Sequence, residues 1–284
     1  MMRSDTRTYL IAEAGSCGDA SLAKMEKLIS VAASVGARAV KFQWTSSAKK
    51  MAKRRHATKT PFALHYKDLL QWPAEWHEQL ALIAKQRGVD YLCSVYLPED
   101  VEVIAPHVSK FKIASFECCD GELRDAMSLS SGQKPILVST GMTTVSDLDF
   151  AFRYTDEELV LLHCVSAYPA SFGSLNLKVL RRSFLAPKMD GCKREALRFR
   201  GFSDHTSPNY VTTGAMAVCA GAEILEAHFR LNETEPDNPD YPHAMTPDQL
   251  QSYILNVEVA EAAMGSSDKA PSGEEVEMSE FRVV

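Results

Sequence analysis

No part of the 284-residue chain approaches the roughly 20 consecutive apolar residues that a membrane-spanning helix needs. The polar start, Met1 to Thr8, also lacks the hydrophobic region of a secretory leader. The seven cysteines are odd in number, include the adjacent Cys118 and Cys119, and show no CxxC or CxxH spacing. That excludes a secreted disulfide framework and points to a reducing cytoplasm. Positive charge is not in excess: 31 basic residues face 37 acidic ones for a net −6, so no global field draws the protein to nucleic acid or an anionic membrane. No glycine-rich loop of the Walker type is present, so any phosphate must be held by side chains. What is present is 45% hydrophobic and 24% charged residues, the make-up of a well-cored globular protein.

Short apolar runs rich in β-formers alternate with segments of helical periodicity from Tyr9 to about Gly265. Strands are expected at Tyr9–Ala14, Ala39–Gln43, Tyr91–Val95, Lys110–Ser115, Pro135–Thr140, Leu159–Cys164, Arg200–Asp204 and Glu223–Phe229. Helices are expected at Leu22–Val35, Trp76–Arg87, Glu99–His107, Gly121–Ser130, Val145–Phe152, Leu175–Ser183, Tyr210–Ala220 and Pro247–Met264. Asp19 reads as a cap for the first, and Thr246-Pro247 as a cap and first-turn proline for the last. Eight strands with eight helices predict a (β/α)8 TIM barrel over residues 1–265, with an open doubly wound sheet as the alternative. Two stretches depart from the repeat. Thr45–Trp72 is a long insertion carrying Lys49, Lys50, Lys53, Arg54, Arg55, Lys59 and Lys67, and Ala186–Arg198 adds further cations. Either is a solvated face or, on the catalytic side of a barrel, a lid that attracts phosphate. Residues 266–284 read as a mobile tail, or as an arm awaiting a partner.

Strand ends of a barrel converge on one mouth. Polar residues there are Glu13 on the first strand, Lys41 and Gln43 on the second, Ser94 on the third, Lys112, Ser115 and Glu117 on the fourth, and Ser139 and Thr140 on the fifth. The sixth adds His163, Ser166 and Tyr168, the seventh Ser203, Asp204 and His205, and the eighth Glu226 and His228. Alternation turns residues i and i+2 to one face, so Lys41 with Gln43, Ser203 with His205, and Glu226 with His228 can each point inward. Charges in apolar strands need partners, so Glu13, Lys41, Lys112 and Glu226 serve either each other or a ligand. His205 and His228 end neighbouring strands, where two imidazoles with oxygen ligands suit Mn²⁺, Fe²⁺, Co²⁺ or Zn²⁺ and suit Mg²⁺ less well. Two lysines among serines suit a phosphate or carboxylate. The other histidines, His56, His65, His77, His107 and His243, fall in loops or helices and read as solvated, with substrate contact the alternative for those in the insertion and for His243, and the cysteines at strand ends, Cys93 and Cys164, read as small buried hydrophobes.

The motifs IAEAG (Ile11–Gly15), GARAVKFQ (Gly36–Gln43), FKIASFE (Phe111–Glu117), PILVSTGM (Pro135–Met142), LLHCVSAYP (Leu161–Pro169), GFSDHT (Gly201–Thr206) and EAHF (Glu226–Phe229) follow in order along the chain. Together they resemble the sialic acid synthase family, which condenses phosphoenolpyruvate with N-acetylmannosamine or a related aldose to give a nine-carbon keto acid. The resemblance implies a divalent metal, Mn²⁺ first with Mg²⁺ or Co²⁺ as alternatives, at His205 and His228. It implies phosphoenolpyruvate contacts from Lys41, Gln43, Ser94, Lys112, Ser115, Ser139 and Ser203, and catalytic or water-positioning duty for Glu13. Glu117, Tyr168 and Asp240 would help hold the aldose, and a homodimer is the expected assembly.

Three departures accompany the resemblance. The first strand–helix loop reads Gly15-Ser16-Cys17-Gly18-Asp19, two residues shorter than the family's and without its Asn-His pair. Ser166 stands where the family has asparagine. The family's small C-terminal antifreeze-like domain, which lends an arginine to the sugar site across a dimer, has no counterpart in these residues. The expectation is a different or smaller acceptor, a separate antifreeze-like polypeptide, or replacement by the basic insertion. A related barrel synthase using a phosphorylated sugar and a non-catalytic barrel that binds an acidic metabolite are the other readings.

Overall fold

The apolar runs fold as parallel strands because each must bury two faces, one toward the barrel axis and one toward the helices. The computed structural model describes residues 8–56, 68–130, 134–152, 159–181, 183–184 and 197–283. Its strands are β1 (Tyr9–Gly15), β2 (Ala39–Gln43), β3 (Asp90–Ser94), β4 (Phe111–Ile113), β5 (Ile136–Ser139), β6 (Leu159–Cys164), β7 (Ser183–Phe184), β8 (Leu197–Asp204) and β9 (Ile224–His228). Hydrogen bonding runs β6-β5-β4-β3-β2-β1-β9-β8, and a further parallel pairing of β6 with β8 closes the ring. The result is an eight-stranded (β/α)8 barrel, with β7 a short antiparallel addition to β8. Closure removes every sheet edge from the parallel ring, and the doubly wound alternative is set aside.

The helices are α1 (Leu22–Ser34), α2 (Ala48–Arg54), α3 (Trp76–Arg87), α4 (Val101–Ile104), α5 (Gly121–Leu129), α6 (Val145–Ala151), α7 (Thr213–Cys219) and α8 (Pro247–Met264). Thr246 caps α8 in a reciprocal box with Gln249, with Pro247 in the first turn. Asp19 does not cap α1. Ser21 occupies that position without a side-chain bond, and Asp19, at φ 49°, instead binds Lys24 and the Asn238 amide. The expected sixth helix is also different: the described residues there form a 3-10 helix, Leu177–Arg181. Beyond Met264 the chain makes two 3-10 turns, and its described residues are exposed. Among the described residues no helix is long and apolar enough to cross a membrane, and the six described cysteines are free thiols.

The barrel interior is layered. At the floor, Tyr9 donates to Asp90 at 2.5 Å, and Lys110 reaches the same carboxylate at 3.1 Å. Above it lies an apolar plug of Ile11, Ala39, Leu92, Leu137, Val160, Leu162 and Ile224. Register then lifts Glu13 beside both Lys41 and His228, Ser94 beside Lys112, and Ser203 beside Glu226. Above the apolar plug, the inward polar residues of the same parity gather at the C-terminal mouth.

The insertion is sewn down at both ends by aromatics. Trp44 donates to the Trp72 carbonyl at 2.8 Å, and both indoles pack on His77, whose Nδ1 lies 2.8 Å from the Tyr91 hydroxyl. Its basic run is largely consumed by carboxylates: Lys50 meets Glu99, Arg54 chelates Asp120, and Arg55 chelates Glu117. Lys59, Lys67 and most of Ala186–Arg198 lie outside the described residues.

Candidate active site

Four buried charges share the polar layer. Lys41 is ion-paired with Glu13, donates to Ser94 at 3.0 Å and lies 3.7 Å from Glu226. Lys112 lies 3.6 Å from the other oxygen of Glu226, and donates to Ser139 at 2.8 Å and to its neighbour's carbonyl at 3.1 Å. Glu226 thus bridges the two lysines, and Ser203 donates to it at 2.9 Å. Gln43 donates to Glu13 at 3.0 Å. With two acids and two bases ionised the cluster is neutral, which makes burying it tolerable. Burial pushes the Glu13 carboxyl up, with Glu226 adding to the push against the pull of Lys41. Burial acts on Glu226 too, but Lys112 and Lys41 outweigh it and hold that carboxyl low. Glu13 is therefore the member that takes up a proton first.

Above this layer lies a cavity of about 480 Å³. Of the residues anticipated from the sequence, Glu13, Lys41, Gln43, Ser94 and Lys112 line its lower wall, and Ser115, Ser139, Tyr168, His205, His228 and Asp240 complete it. Three anticipated residues stand behind the wall. Ser203 backs Glu226, Ser166 donates to Ser115 at 2.9 Å, and Glu117 grips Arg55. Two polar residues of the strand-end inventory face the helices: Asp204 accepts from Thr213 and Tyr253, and His163 meets the Leu175 carbonyl at 2.7 Å. Strand parity decides both cases.

Glu226 and His243 also line the cavity, and so do Ser16, Arg55 and Tyr96, to which the strand-end reading gave no contact. Arg55 comes from the insertion and lies over the rings of Tyr96 and Phe116, at 4.5 and 5.0 Å. The short first loop is not inert either. Ser16 donates its backbone N–H at 2.7 Å and its hydroxyl at 2.9 Å to Asp240 Oδ2. Gly15 sits at φ +52°, and a Cβ there would fall 2.2 Å from that oxygen, so only glycine lets the carboxylate in.

His205 and His228 do come together, with ring centroids 5.5 Å apart. His205 Nδ1 is 2.8 Å from the Val165 carbonyl, which places the proton there and leaves the Nε2 lone pair for the cavity. The neighbouring Ser203 hydroxyl, 3.3 Å away, spends its hydrogen on Glu226. Burial lowers the His205 pKa to about 4 and drives that of His228 well below the usual range. Both rings are neutral at pH 7, the form that binds a cation. His228 Nδ1, Glu226 Oε2 and both His243 nitrogens are buried without a hydrogen-bond partner. This donor set fits a divalent metal.

A closed (β/α)8 barrel that gathers buried charges and neutral imidazoles around a cavity at its C-terminal mouth has the layout of an enzyme barrel. The chain belongs to the NeuB family, which matches residues 28–269. It is 31% identical to an N,N'-diacetyllegionaminic acid synthase of Campylobacter jejuni, over 95% of this chain and 81% of that protein. The crystal structure of the spore coat polysaccharide biosynthesis protein SpsE of Bacillus subtilis superimposes with a TM-score of 0.72 at 28% identity, covering 98% of this chain and 78% of that one. An N-acetylneuraminic acid synthetase from Leptospira borgpetersenii, solved with citrate, gives 0.77 at 23% identity over 97% and 91%, a likeness of fold.

Proposed function

We propose that the protein condenses phosphoenolpyruvate with an aldose, consuming one water and releasing a sugar-type keto acid and inorganic phosphate. One observation carries this reading: two buried lysines, each with its own serine and both tied to Glu226, face an open cavity beside paired neutral imidazoles. Lys41 and Lys112, with Ser94, Ser115 and Ser139, form the anion-binding wall, and Gln43 orients Glu13. Ser203 steadies Glu226 so that it holds both lysines apart at a fixed spacing. A divalent cation at His205 and His228, Mn²⁺ or Co²⁺ before Mg²⁺, supplies Lewis-acid polarisation of the aldehyde oxygen when bound.

Held against that wall, phosphoenolpyruvate presents C3 to C1 of the aldose; as the new carbon–carbon bond forms, the aldehyde C=O π pair moves to oxygen, which becomes a hydroxyl on taking the proton that the added water gives up, and C2 is left with cationic character. Glu13 lies on the cavity wall with its carboxyl shifted up, so it orients the water that adds to C2 and accepts its proton. Breakage of the C2–O bond then expels phosphate and leaves the ketone. Tyr168, exposed in part over His205 at 4.3 Å between centroids, together with Arg55 and Glu117, forms the acceptor end. The legionaminic acid synthase among the relatives supports an acetamido-sugar as the acceptor.

The test is phosphate release from phosphoenolpyruvate in the presence of Mn²⁺ and a panel of aldoses: N-acetylmannosamine, diacetamido-hexoses, their phosphorylated forms and shorter aldehydes. The product is identified by mass. Release with an unphosphorylated aldose and a product of summed carbon count is expected. Preference for a phosphorylated sugar would move the acceptor class. No turnover with any acceptor, together with no calorimetric binding of phosphoenolpyruvate, overturns the reading in favour of a metabolite-binding barrel.

A further inference from the structure

We infer that Asp240 and His243, from the loop after β9, are ligands of the same cation as His205 and His228, so that the site carries three imidazoles and a carboxylate. The inference rests on the metal dependence proposed above. His243 is 4% exposed, yet neither ring nitrogen has a hydrogen-bond partner. A buried ring left unsatisfied carries the desolvation penalty of each stranded group, so the placement needs a reason. Its Nε2 is 3.4 Å from Asp240 Oδ1, and the equally unpartnered His228 Nδ1 is 3.8 Å from that same oxygen. One donor atom from each of the three lies within 4.8 Å of the others. A single ion can satisfy all three at once.

The surroundings hold these groups for that purpose. Asp240 Oδ2 is saturated by Ser16, which turns Oδ1 toward the imidazoles. Asn238 accepts from the Asp240 backbone and donates to the Ser16 carbonyl, locking the two loops together. A pair of backbone bonds, Met245 to His228 and Arg230 to Met245, clasps the far end of the loop to β9. His243 therefore meets the His228 ring at 4.5 Å and the Tyr168 ring at 5.0 Å. Carboxylate orientation by a neighbouring loop is the outer-shell support that metal ligands characteristically receive. A donor set with three nitrogens selects Mn²⁺, Co²⁺, Fe²⁺ or Zn²⁺ strongly over Mg²⁺.

The experiment is titration of the chelator-treated full chain with Co²⁺, read by visible absorption and by bound metal per chain, for wild type, His243→Gln, Asp240→Asn and His205→Gln. The expected result is one Co²⁺ per wild-type chain and a loss of about tenfold or more in affinity in each variant. The His243→Gln band should also change intensity and position as a nitrogen donor is lost, and Mg²⁺ should fail to displace Co²⁺. Wild-type affinity with an unchanged band in His243→Gln, alongside weakening in His205→Gln, overturns the inference and leaves the two-histidine site standing. No Co²⁺ bound by wild type overturns the metal dependence itself. Should His243→Gln not fold, Asp240→Asn carries the same comparison.

Discussion

The barrel has two charged layers, one at each end of the same apolar plug, and they are built on opposite principles. At the floor, Tyr9, Asp90 and Lys110 bond one another in a closed triangle, and Lys110 also lies over the Tyr9 ring at 4.3 Å. Asp90 and Lys110 side chains are 40% and 24% exposed, so water screens them. At the mouth, Glu13, Lys41, Lys112 and Glu226 are 0–4% exposed, yet polar atoms around them remain without partners beside a cavity. Unfinished hydrogen bonding in a dry place, more than charge as such, separates a site from a plug.

The comparison breaks most visibly at Lys112. Removing its ammonium strips Glu226 of one counter-charge and the proposed phosphate wall of one cation. Truncating a buried, hydrogen-bonded charge costs roughly 2–5 kcal/mol at its ligand. Lys112→Ala is therefore expected to weaken phosphoenolpyruvate binding by about thirtyfold or more, measured by calorimetry. Lys112→Met, of similar volume, should keep the fold while showing the same loss. Binding within threefold of wild type would mean the mouth is as self-contained as the floor.

Much of this was legible in the sequence because period-two alternation reports which strand residues share a face. Lys41 with Gln43 and Glu226 with His228 fall out of it directly, and so does the barrel from eight strand–helix alternations. Parity also explains where an inventory of strand-end residues overreached, at His163 and Asp204, which point outward. Glu226 was visible as a charge in need of a partner, but its bridging of two lysines depends on register between strands distant in sequence. His243 and Arg55 lie in loops, where no periodicity exists. His243 is placed by a backbone clasp to β9, and Arg55 by an ion pair to a residue 62 positions away. Asp19 satisfies the local rule for a helix cap and was claimed instead by a tertiary contact with Asn238.

Acid separates the two ends next. In the metal-free protein, the His205 pKa is lowered to about 4, mainly by burial, and burial likewise drives that of His228 well below the usual range. Outside the mouth, burial takes His77 to about 3. A histidine whose folded pKa is depressed contributes stability above its unfolded value near 6.5, and that stability is lost as pH falls below it. Each of the three therefore removes up to about 2 kcal/mol between pH 6.5 and 5. Urea denaturation at pH 7 and pH 5 should show the decline, and His77→Gln should lessen it by one share. A flat profile would mean that the imidazoles titrate in the fold as they do in the unfolded chain.

The smallest effect is expected at the floor. Asp90 has its pKa lowered: burial raises it, but the Tyr9 hydroxyl and Lys110 outweigh that. Its contribution is present above the unfolded value near 4 and disappears only as pH falls through the folded one, so nothing changes between pH 7 and 5. Because the pair is 40% and 24% exposed, solvent screening keeps the ion-pair contribution at about 1 kcal/mol or less. Asp90→Asn retains one hydrogen-bond acceptor for Tyr9 and should cost no more than that in urea denaturation at pH 7, with phosphoenolpyruvate binding unchanged. The apolar plug between the layers is what insulates one from the other. A loss of ligand affinity in Asp90→Asn without a loss of stability would show that the plug transmits charge, and the floor would then have to be counted as part of the site.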